Sequence, residues 1–124
     1  MPIDYRIDEE GKVKTVLTGA VTKDEYMSHP VKLARDSRVS YPLREIFDAR
    51  NVESTQVSFD EIDSVTSFEG PMPSVLKGAR IAVLVGTDFS YGLGRMFQAM
   101  SGAKGFDVLV TRSVEEAEDF IRSG

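Results

Sequence analysis

Hydrophobic and polar residues follow two periods along this chain, and these periods predict its secondary structure. Residues 3–8 alternate between apolar and charged side chains, which is the pattern of a strand with one buried face. A turn at residues 10–11 and a second apolar segment at 13–17 complete a predicted β-hairpin. Residues 81–86 form a short, continuously apolar run rich in β-branched side chains, which predicts a strand buried on both faces.

Helix starts are marked by the spacing of a capping box, in which Ser or Thr is followed three residues later by Glu. This spacing occurs at three places: Thr22 with Glu25, Ser58 with Glu61, and Ser113 with Glu116. Another helix is predicted at residues 88–100, where apolar residues recur at helical spacing after two candidate N-caps, Thr87 and Asp88. Because residues before proline avoid the helical conformation, Pro30 predicts an interruption of the first helix.

Two further apolar segments, at residues 43–48 and 106–111, predict the remaining strands. After the hairpin the predicted helices alternate with strands, which favours parallel pairing. The chain is therefore predicted to form one α/β domain over residues 1–124. Its sheet is mixed and mostly parallel, opens with an antiparallel hairpin, and has helices packed on it.

Composition narrows the possible functions. The chain has 15 Lys and Arg against 20 Asp and Glu, and the resulting net charge of −5 argues against nucleic acid as a partner. It has no cysteine, which excludes disulfides, thiolate metal sites and cysteine nucleophiles. His29 is the single histidine and stands beside Pro30 in a polar stretch, which indicates neither a metal site nor a histidine-based triad. No cofactor is expected.

The apolar segments also bear on where the protein works. The first residues lack a basic segment followed by an apolar one, so no signal peptide is predicted. No apolar run approaches the ~20 residues that a transmembrane helix needs. We therefore expect a cytoplasmic protein without a transmembrane segment.

Four segments carry a resemblance to a known superfamily: IFDAR at residues 46–50, RIAV at 80–83, YGLGRMF at 91–97 and VTRSVEEA at 110–117. On these segments the chain resembles the SpoIIAA-like superfamily, whose α/β fold is shared by anti-sigma-factor antagonists (STAS domains) and, more loosely, by lipid-binding CRAL-TRIO domains. The last two segments resemble a bacterial subgroup of small stand-alone proteins of largely unassigned function. The resemblance implies a SpoIIAA-like sandwich and a regulatory role through protein contacts.

The resemblance also points to one candidate modification site. In anti-sigma-factor antagonists a kinase phosphorylates a serine at the start of the helix after the third strand, in a pattern like DSSG. Ser58 is the nearest match, although the glycine and the paired serine are absent. A phosphate there would gain from the helix N-terminus but would meet Asp60, Glu61 and Asp63. Ser58 is thus either a phosphorylation site or simply an N-cap.

A candidate ligand or partner surface follows from the rule that sites in α/β folds lie at the carboxyl ends of strands. The polar residues at these ends and on the following helix are Asp48, Arg50, Asp88, Ser90, Tyr91, Arg95 and Arg112. The guanidinium of Arg95 could bind a carboxylate or phosphate, or pair with Asp48 or Asp88. Asp48 and Asp88 are available for acid–base chemistry, but no nucleophile–base pair accompanies them, so no catalytic residue is predicted.

Two glycines in the first turns of the predicted helix at 88–100 need an explanation. Gly92 and Gly94 each cost a helix up to ~1 kcal/mol relative to alanine. Close approach of the helix to the sheet would offset this cost. Approach of a ligand or a second subunit to the helix backbone is the alternative interpretation.

Two functional hypotheses follow. The first is a non-enzymatic binding or regulatory module that acts through protein contacts, as a homodimer or with a regulatory protein partner. The second is a carrier of a small apolar ligand or lipid, with a pocket at the carboxyl ends of the strands. The loop at residues 70–78 contains Met72, Val75 and Leu76 and would serve as its lid. An enzyme is the third possibility.

Overall fold

The computed structural model describes residues 2–55, 75–101 and 105–123. Within these ranges the chain forms five strands and three helices: β1 (Ile3–Ile7), β2 (Val13–Val21), α1 (Lys23–Arg35), β3 (Arg44–Thr55), β4 (Arg80–Leu84), α2 (Asp88–Ser101), β5 (Asp107–Thr111) and α3 (Val114–Arg122). Ser58, its predicted helix and Met72 lie outside the described residues.

The five strands form one sheet in the order β1-β2-β3-β4-β5. β1 and β2 pair antiparallel, and every later neighbour pairs parallel. This confirms the mixed sheet that opens with an antiparallel hairpin. Because the parallel strands run in one direction, the carboxyl ends of β4 and β5 lie beside each other and beside Asp48 of β3; we call this end of the sheet the carboxyl edge.

Apolar side chains cover both faces of β4, as its continuous apolar run predicts. Ile81 and Val83 belong to a core that also contains Leu33 of α1, with Phe97 of α2 packed against it. Other β4 side chains turn to the opposite face and join Ile121 of α3 in a second core. The sheet therefore lies between α1 and α2 on one side and α3 on the other.

The helix α2 lies close to the sheet at Gly94. A Cβ atom at this position would lie 2.9 Å from Cγ1 of Val110 and 3.5 Å from Cγ1 of Val83. The close-approach interpretation is therefore confirmed for Gly94. At Gly92 a Cβ atom would have no neighbour within 4 Å, so packing against the sheet does not explain that glycine.

The predicted interruption of the first helix at Pro30 is wrong. α1 runs without a break from Lys23 to Arg35 with Pro30 inside it. Proline within a helix removes one backbone hydrogen bond and costs about 3 kcal/mol. His29 and Leu33 are both buried on the sheet side of α1, and this tertiary packing offsets the local cost.

The helix caps follow the sequence in two of the three predicted places. At Thr22 the full capping box forms, since Thr22 Oγ1 accepts from the Glu25 amide and the Glu25 carboxylate accepts from the Thr22 amide. At the start of α3, Ser113 Oγ accepts from the Glu116 amide at 3.2 Å. The Glu116 carboxylate instead accepts from the Thr111 hydroxyl. The third place, at Ser58, lies outside the described residues.

The strands β2 and β3 are longer than predicted. Both extend beyond the segments 13–17 and 43–48, and their extensions pair with each other from Thr18–Asn51 to Val21–Thr55. β4 ends opposite Asp48, so the last part of β3 has β2 as its partner. The length of these strands depends on pairing between two segments that are distant in the sequence, so the local hydrophobic pattern does not predict it.

β1 is an edge strand, since its one neighbour in the sheet is β2. Ile3, Tyr5 and Ile7 are half-buried, whereas Asp4 and Arg6 are exposed. Neither Asp4 nor Arg6 forms an ion pair or hydrogen bond through its side chain within residues 2–55, 75–101 and 105–123. In the same ranges no helix is long and apolar enough to cross a lipid bilayer.

Candidate functional site

The turn between β4 and α2 lies at the carboxyl edge. Two reciprocal hydrogen bonds between Thr87 and Ser90 set its shape. Thr87 Oγ1 accepts from the Ser90 amide at 3.1 Å, and Ser90 Oγ accepts from the Thr87 amide at 3.2 Å. Thr87 therefore caps α2, and the side chain of Asp88 is not used in the cap and is exposed to solvent. Ser90 is only 3% exposed, so its hydroxyl supports the helix start and does not reach the surface.

An aromatic ring, a cation and a carboxylate meet beside this turn. Arg112 donates a hydrogen bond from its terminal guanidinium nitrogen to Asp88 Oδ1 at 2.8 Å. The guanidinium carbon of Arg112 also lies 5.8 Å from the ring centre of Tyr91, within the range of a cation–π contact. Tyr91 is 39% exposed. We call Asp88, Tyr91 and Arg112 the Tyr91–Arg112 patch.

A second ion pair lies at the end of the β3–β4 pairing. The Arg50 guanidinium binds Asp48 with two hydrogen bonds, of 3.0 Å to Oδ1 and 2.8 Å to Oδ2. Burial raises the pKa of Asp48, but hydrogen bonds from the side chain and backbone of Arg50 lower it by more, and the net pKa is below the usual value. Asp48 is therefore ionised at neutral pH and is not suited to donate a proton.

Replacing Asp48 with asparagine should lower the free energy of unfolding at pH 7 by up to about 1 kcal/mol. The pKa of Asp48 is lower in the folded than in the unfolded protein, so its carboxylate adds stability above the unfolded value of 3.8. This contribution disappears as the pH falls through the folded pKa. Urea unfolding of both proteins between pH 7 and acid should show the two curves converging, and a difference that persists or widens in acid would contradict this.

The two carboxylates proposed for acid–base chemistry thus belong to separate ion pairs, Asp48 with Arg50 and Asp88 with Arg112. Arg95 joins neither, because its guanidinium donates to the side-chain oxygen of Gln98 at 2.9 Å. The structure brings together Asp88, Tyr91 and Arg112. It places Arg95 one helical turn further along α2 and withdraws Ser90 into the helix cap.

A buried polar network lies away from the carboxyl edge, and sequence reasoning missed it. His29 Nε2 is 2.7 Å from Glu45 Oε2, and the Thr15 hydroxyl donates to the same oxygen at 2.5 Å. His29 is 5% exposed and Glu45 is 2% exposed. A single oxygen of the Glu45 side chain therefore contacts both Thr15 and His29.

Aromatic rings surround the imidazole of this network. Tyr5 and Phe47 contact it edge-on, with ring centres 5.7 Å and 5.5 Å away. The other ring nitrogen, Nδ1, is buried and has no hydrogen-bond partner among the described residues. A signal was present in the sequence, because Glu45 is spaced by two residues from the apolar Leu43, just before β3, and from the apolar Phe47 within it, and residues at this spacing share one face of a strand. A carboxylate at such a position requires a buried partner.

Two observations on the described residues concern the carrier hypothesis: the packing of the predicted lid and the position of a cavity. Val75 and Leu76, at the end of the predicted lid, are buried members of the main core. A cavity of about 210 Å³ lies between β1 and α1, lined by residues that include Tyr5, His29 and Lys32. None of the residues that line it belongs to the described part of the predicted lid, residues 75–78. In the described part of the chain no cluster of three or more His, Asp or Glu side chains could hold a metal.

The antiparallel hairpin, the parallel strands that follow it and the helices on both faces define a SpoIIAA-like α/β fold. The crystal structure of an uncharacterized protein of the DUF3478 family with a SpoIIAA-like fold, from Shewanella loihica, is similar over 96% of this chain and 91% of its own, with a TM-score of 0.60 and 11% identity. The unphosphorylated form of the anti-sigma factor antagonist SpoIIAA is similar over 98% of this chain and 99% of its own, with a TM-score of 0.57 and 13% identity.

These likenesses confirm the SpoIIAA-like fold that the sequence motifs imply. They concern the path of the backbone, since 11% and 13% identity leave few side chains in common. No protein-family profile and no curated protein sequence matches the chain. The function therefore has to be argued from the side chains of this protein.

Proposed function

We propose that this chain is a non-enzymatic protein-binding module with the Tyr91–Arg112 patch as its contact surface. The observation that carries the proposal is the double engagement of Arg112, which is paired with Asp88 and placed over the exposed ring of Tyr91. Tyrosine and arginine are enriched among the residues that dominate binding energy at protein interfaces. Here both are already ordered, so a partner would meet a reduced entropic cost of binding.

The surroundings of the patch favour a protein partner over a small substrate. The Asp88 side chain is fully exposed and that of Arg112 is 54% exposed, so the patch is a surface and not a cleft. Val114, two residues after Arg112, is also exposed and adds apolar area near the polar pair. An exposed mixture of aromatic, aliphatic and charged groups is typical of a protein contact.

The fold supports a regulatory role by analogy. One structure with a similar fold is an anti-sigma factor antagonist. We propose a regulatory protein as the partner of the Tyr91–Arg112 patch, and we propose that the protein works in the cytoplasm. We also propose that the protein forms a homodimer. The dimer contact is assigned to a different surface, so that the Tyr91–Arg112 patch stays accessible to the regulatory partner.

The test compares two exposed tyrosines. The wild-type protein and its Tyr91→Ala, Arg112→Ala and Tyr41→Ala variants are immobilised, and the proteins retained from an extract of the native cells are identified by mass spectrometry. Tyr41 is the matched control, because it is 49% exposed and precedes β3 at the opposite end of that strand. A specific partner should be retained by wild type and Tyr41→Ala and lost with Tyr91→Ala.

The partner found in this way is then purified for a direct measurement of affinity. Loss of a central tyrosine or arginine should weaken binding about 30-fold, the equivalent of a 2 kcal/mol interface residue, while Tyr41→Ala should change it less than about twofold. Equal retention by all four proteins would overturn the proposal. Circular dichroism establishes that the variants are folded.

A further inference from the structure

The edge strand β1 has an approximate sequence symmetry about its central residue. The strand reads Ile-Asp-Tyr-Arg-Ile, so that Tyr5 is flanked by an acidic and a basic residue and then by two isoleucines. Asp4 and Arg6 are exposed and have no ion-pair partner within the described ranges. The strand thus carries two exposed charges of opposite sign at equal distances from Tyr5, neither of them in an ion pair within the described part of the chain.

On the side away from β2, no described strand pairs with the backbone of β1. The Pro2 carbonyl accepts from the Thr18 amide at 2.9 Å, and the Asp8 amide donates to the Lys12 carbonyl at 3.0 Å. In an antiparallel pair the residues that bond to a given neighbour alternate along the strand. The even-numbered residues of β1 therefore bond to β2, and the amide and carbonyl groups of Ile3, Tyr5 and Ile7 face outward.

We propose that β1 is the surface through which two copies of this chain associate, with their β1 strands paired antiparallel about Tyr5. In this register Tyr5 lies opposite Tyr5 of the second copy and Ile3 lies opposite Ile7, so the outward-facing backbone groups bond to each other. Asp4 then lies opposite Arg6 in the non-hydrogen-bonded pairs, where side chains are closest. The two sheets join into one, and both β1 edges are covered.

Charge selects this register among its neighbours. Pairing centred on residue 4 would place Asp4 opposite Asp4 of the second copy, and pairing centred on residue 6 would place Arg6 opposite Arg6. Like charges at directly opposite positions destabilise a strand pair. The centre at Tyr5 gives two favourable charge pairs, as expected of a two-fold symmetric interface in which each contact occurs twice.

Sedimentation equilibrium tests the proposal by charge reversal. The wild-type protein should be a dimer. Arg6→Asp places two acidic residues opposite each other at both symmetric contacts and should raise the dimer dissociation constant at least tenfold. The double variant Asp4→Arg with Arg6→Asp restores both charge pairs at unchanged net charge and should restore the dimer. Both sites are exposed, and circular dichroism confirms folding.

A cross-link tests the register itself. The chain has no cysteine, so cysteines introduced at chosen positions are the only thiols present. The Asp4→Cys/Arg6→Cys variant should form a covalent dimer on oxidation, because residues 4 and 6 of the two copies face each other at a Cα distance of about 4.5 Å. The Asp4→Cys variant should not, because its two thiols lie on a diagonal of about 7–8 Å.

Three results would overturn the proposal: a monomeric wild-type protein, a dimer that tolerates Arg6→Asp, or a double variant that remains dissociated. None of these results would contradict the proposed role of the Tyr91–Arg112 patch, because that role is tested by the retention of another protein. Conversely, Tyr91→Ala should leave the dimer unchanged.

Discussion

Replacing Glu45 with alanine should lower the free energy of unfolding by about 3–5 kcal/mol. Glu45 is 2% exposed, and its Oε2 accepts a hydrogen bond from the Thr15 hydroxyl and lies 2.7 Å from His29 Nε2. Its removal leaves the Thr15 hydroxyl and His29 Nε2 with only their long mutual contact of 3.4 Å in place of Glu45, and His29 Nδ1 has no hydrogen-bond partner within the described residues. Each buried polar group that loses its partner costs about 1–3 kcal/mol.

Urea unfolding followed by circular dichroism measures this loss, and Glu118→Ala is the matched control. Glu118 also pairs with a cation, Lys14 at 3.0 Å, but its side chain is 27% exposed and water can replace the partner. The control should lose no more than about 1 kcal/mol. If Glu45→Ala costs no more than Glu118→Ala, the buried network does not stabilise the fold as proposed.

The His29→Ala variant extends this experiment to a double-mutant cycle. The His29→Ala substitution leaves the buried Glu45 side chain with the Thr15 hydroxyl as its partner. We expect the free energies of unfolding lost in the two single variants to add up to more than the loss in the double variant. The difference, a coupling of about 0.5–3 kcal/mol, arises because the two side chains contact each other directly. Strict additivity would show that they act independently.

Replacing Gly11 with alanine should lower the free energy of unfolding by about 2–5 kcal/mol, the sum of two separate costs. Gly11 has φ of +81°, a left-handed conformation that costs an L-residue about 1–2 kcal/mol. A Cβ atom there would also lie 2.7 Å from the backbone nitrogen of Ser40. Backbone cannot yield as a flexible side chain does, so the hydrogen bond from the Ser40 amide to the Gly11 carbonyl is also disturbed.

Gly19→Ala separates the two costs. Gly19 has a similar φ of +66°, but a Cβ atom there would meet nothing within 4 Å. The control should therefore lose only the conformational share, about 1–2 kcal/mol. Thermal and urea unfolding of the three proteins check the difference, and equal losses at Gly11 and Gly19 would show that the contact with Ser40 is not rigid.

Local patterns were enough to predict most of the elements. The alternation in residues 3–8, the apolar run at 81–86 and the cap at Thr22 each concern neighbours along the chain, and each describes an element that the structure contains. The antiparallel hairpin followed by strand–helix units was enough to predict the mixed sheet. Where a distant segment intervenes, as at Pro30 or in the extensions of β2 and β3, the local prediction failed.

The candidate surface was predictable in part. Parallel strands bring their carboxyl ends to one edge, so Asp88, Tyr91 and Arg112 could be placed in one region before the structure was known. Which of them touch could not be predicted, because this depends on the rotation of α2 about its axis. That rotation places Tyr91 beside Arg112 and directs Arg95 to Gln98, and the cap removes Ser90 from the surface.

The sequence by itself determined most of the secondary structure, the fold class and the end of the sheet at which a site was to be sought, because hydrophobic period and capping act over a few residues. The tertiary structure alone decided that His29 and Glu45 meet across β2, since they lie sixteen residues apart on different elements. It also decided that Arg112 meets Tyr91 and that Asp4 and Arg6 have no ion-pair partner among the residues that the structure describes. Contacts between distant segments depend on how the elements pack, and a local pattern does not contain that information.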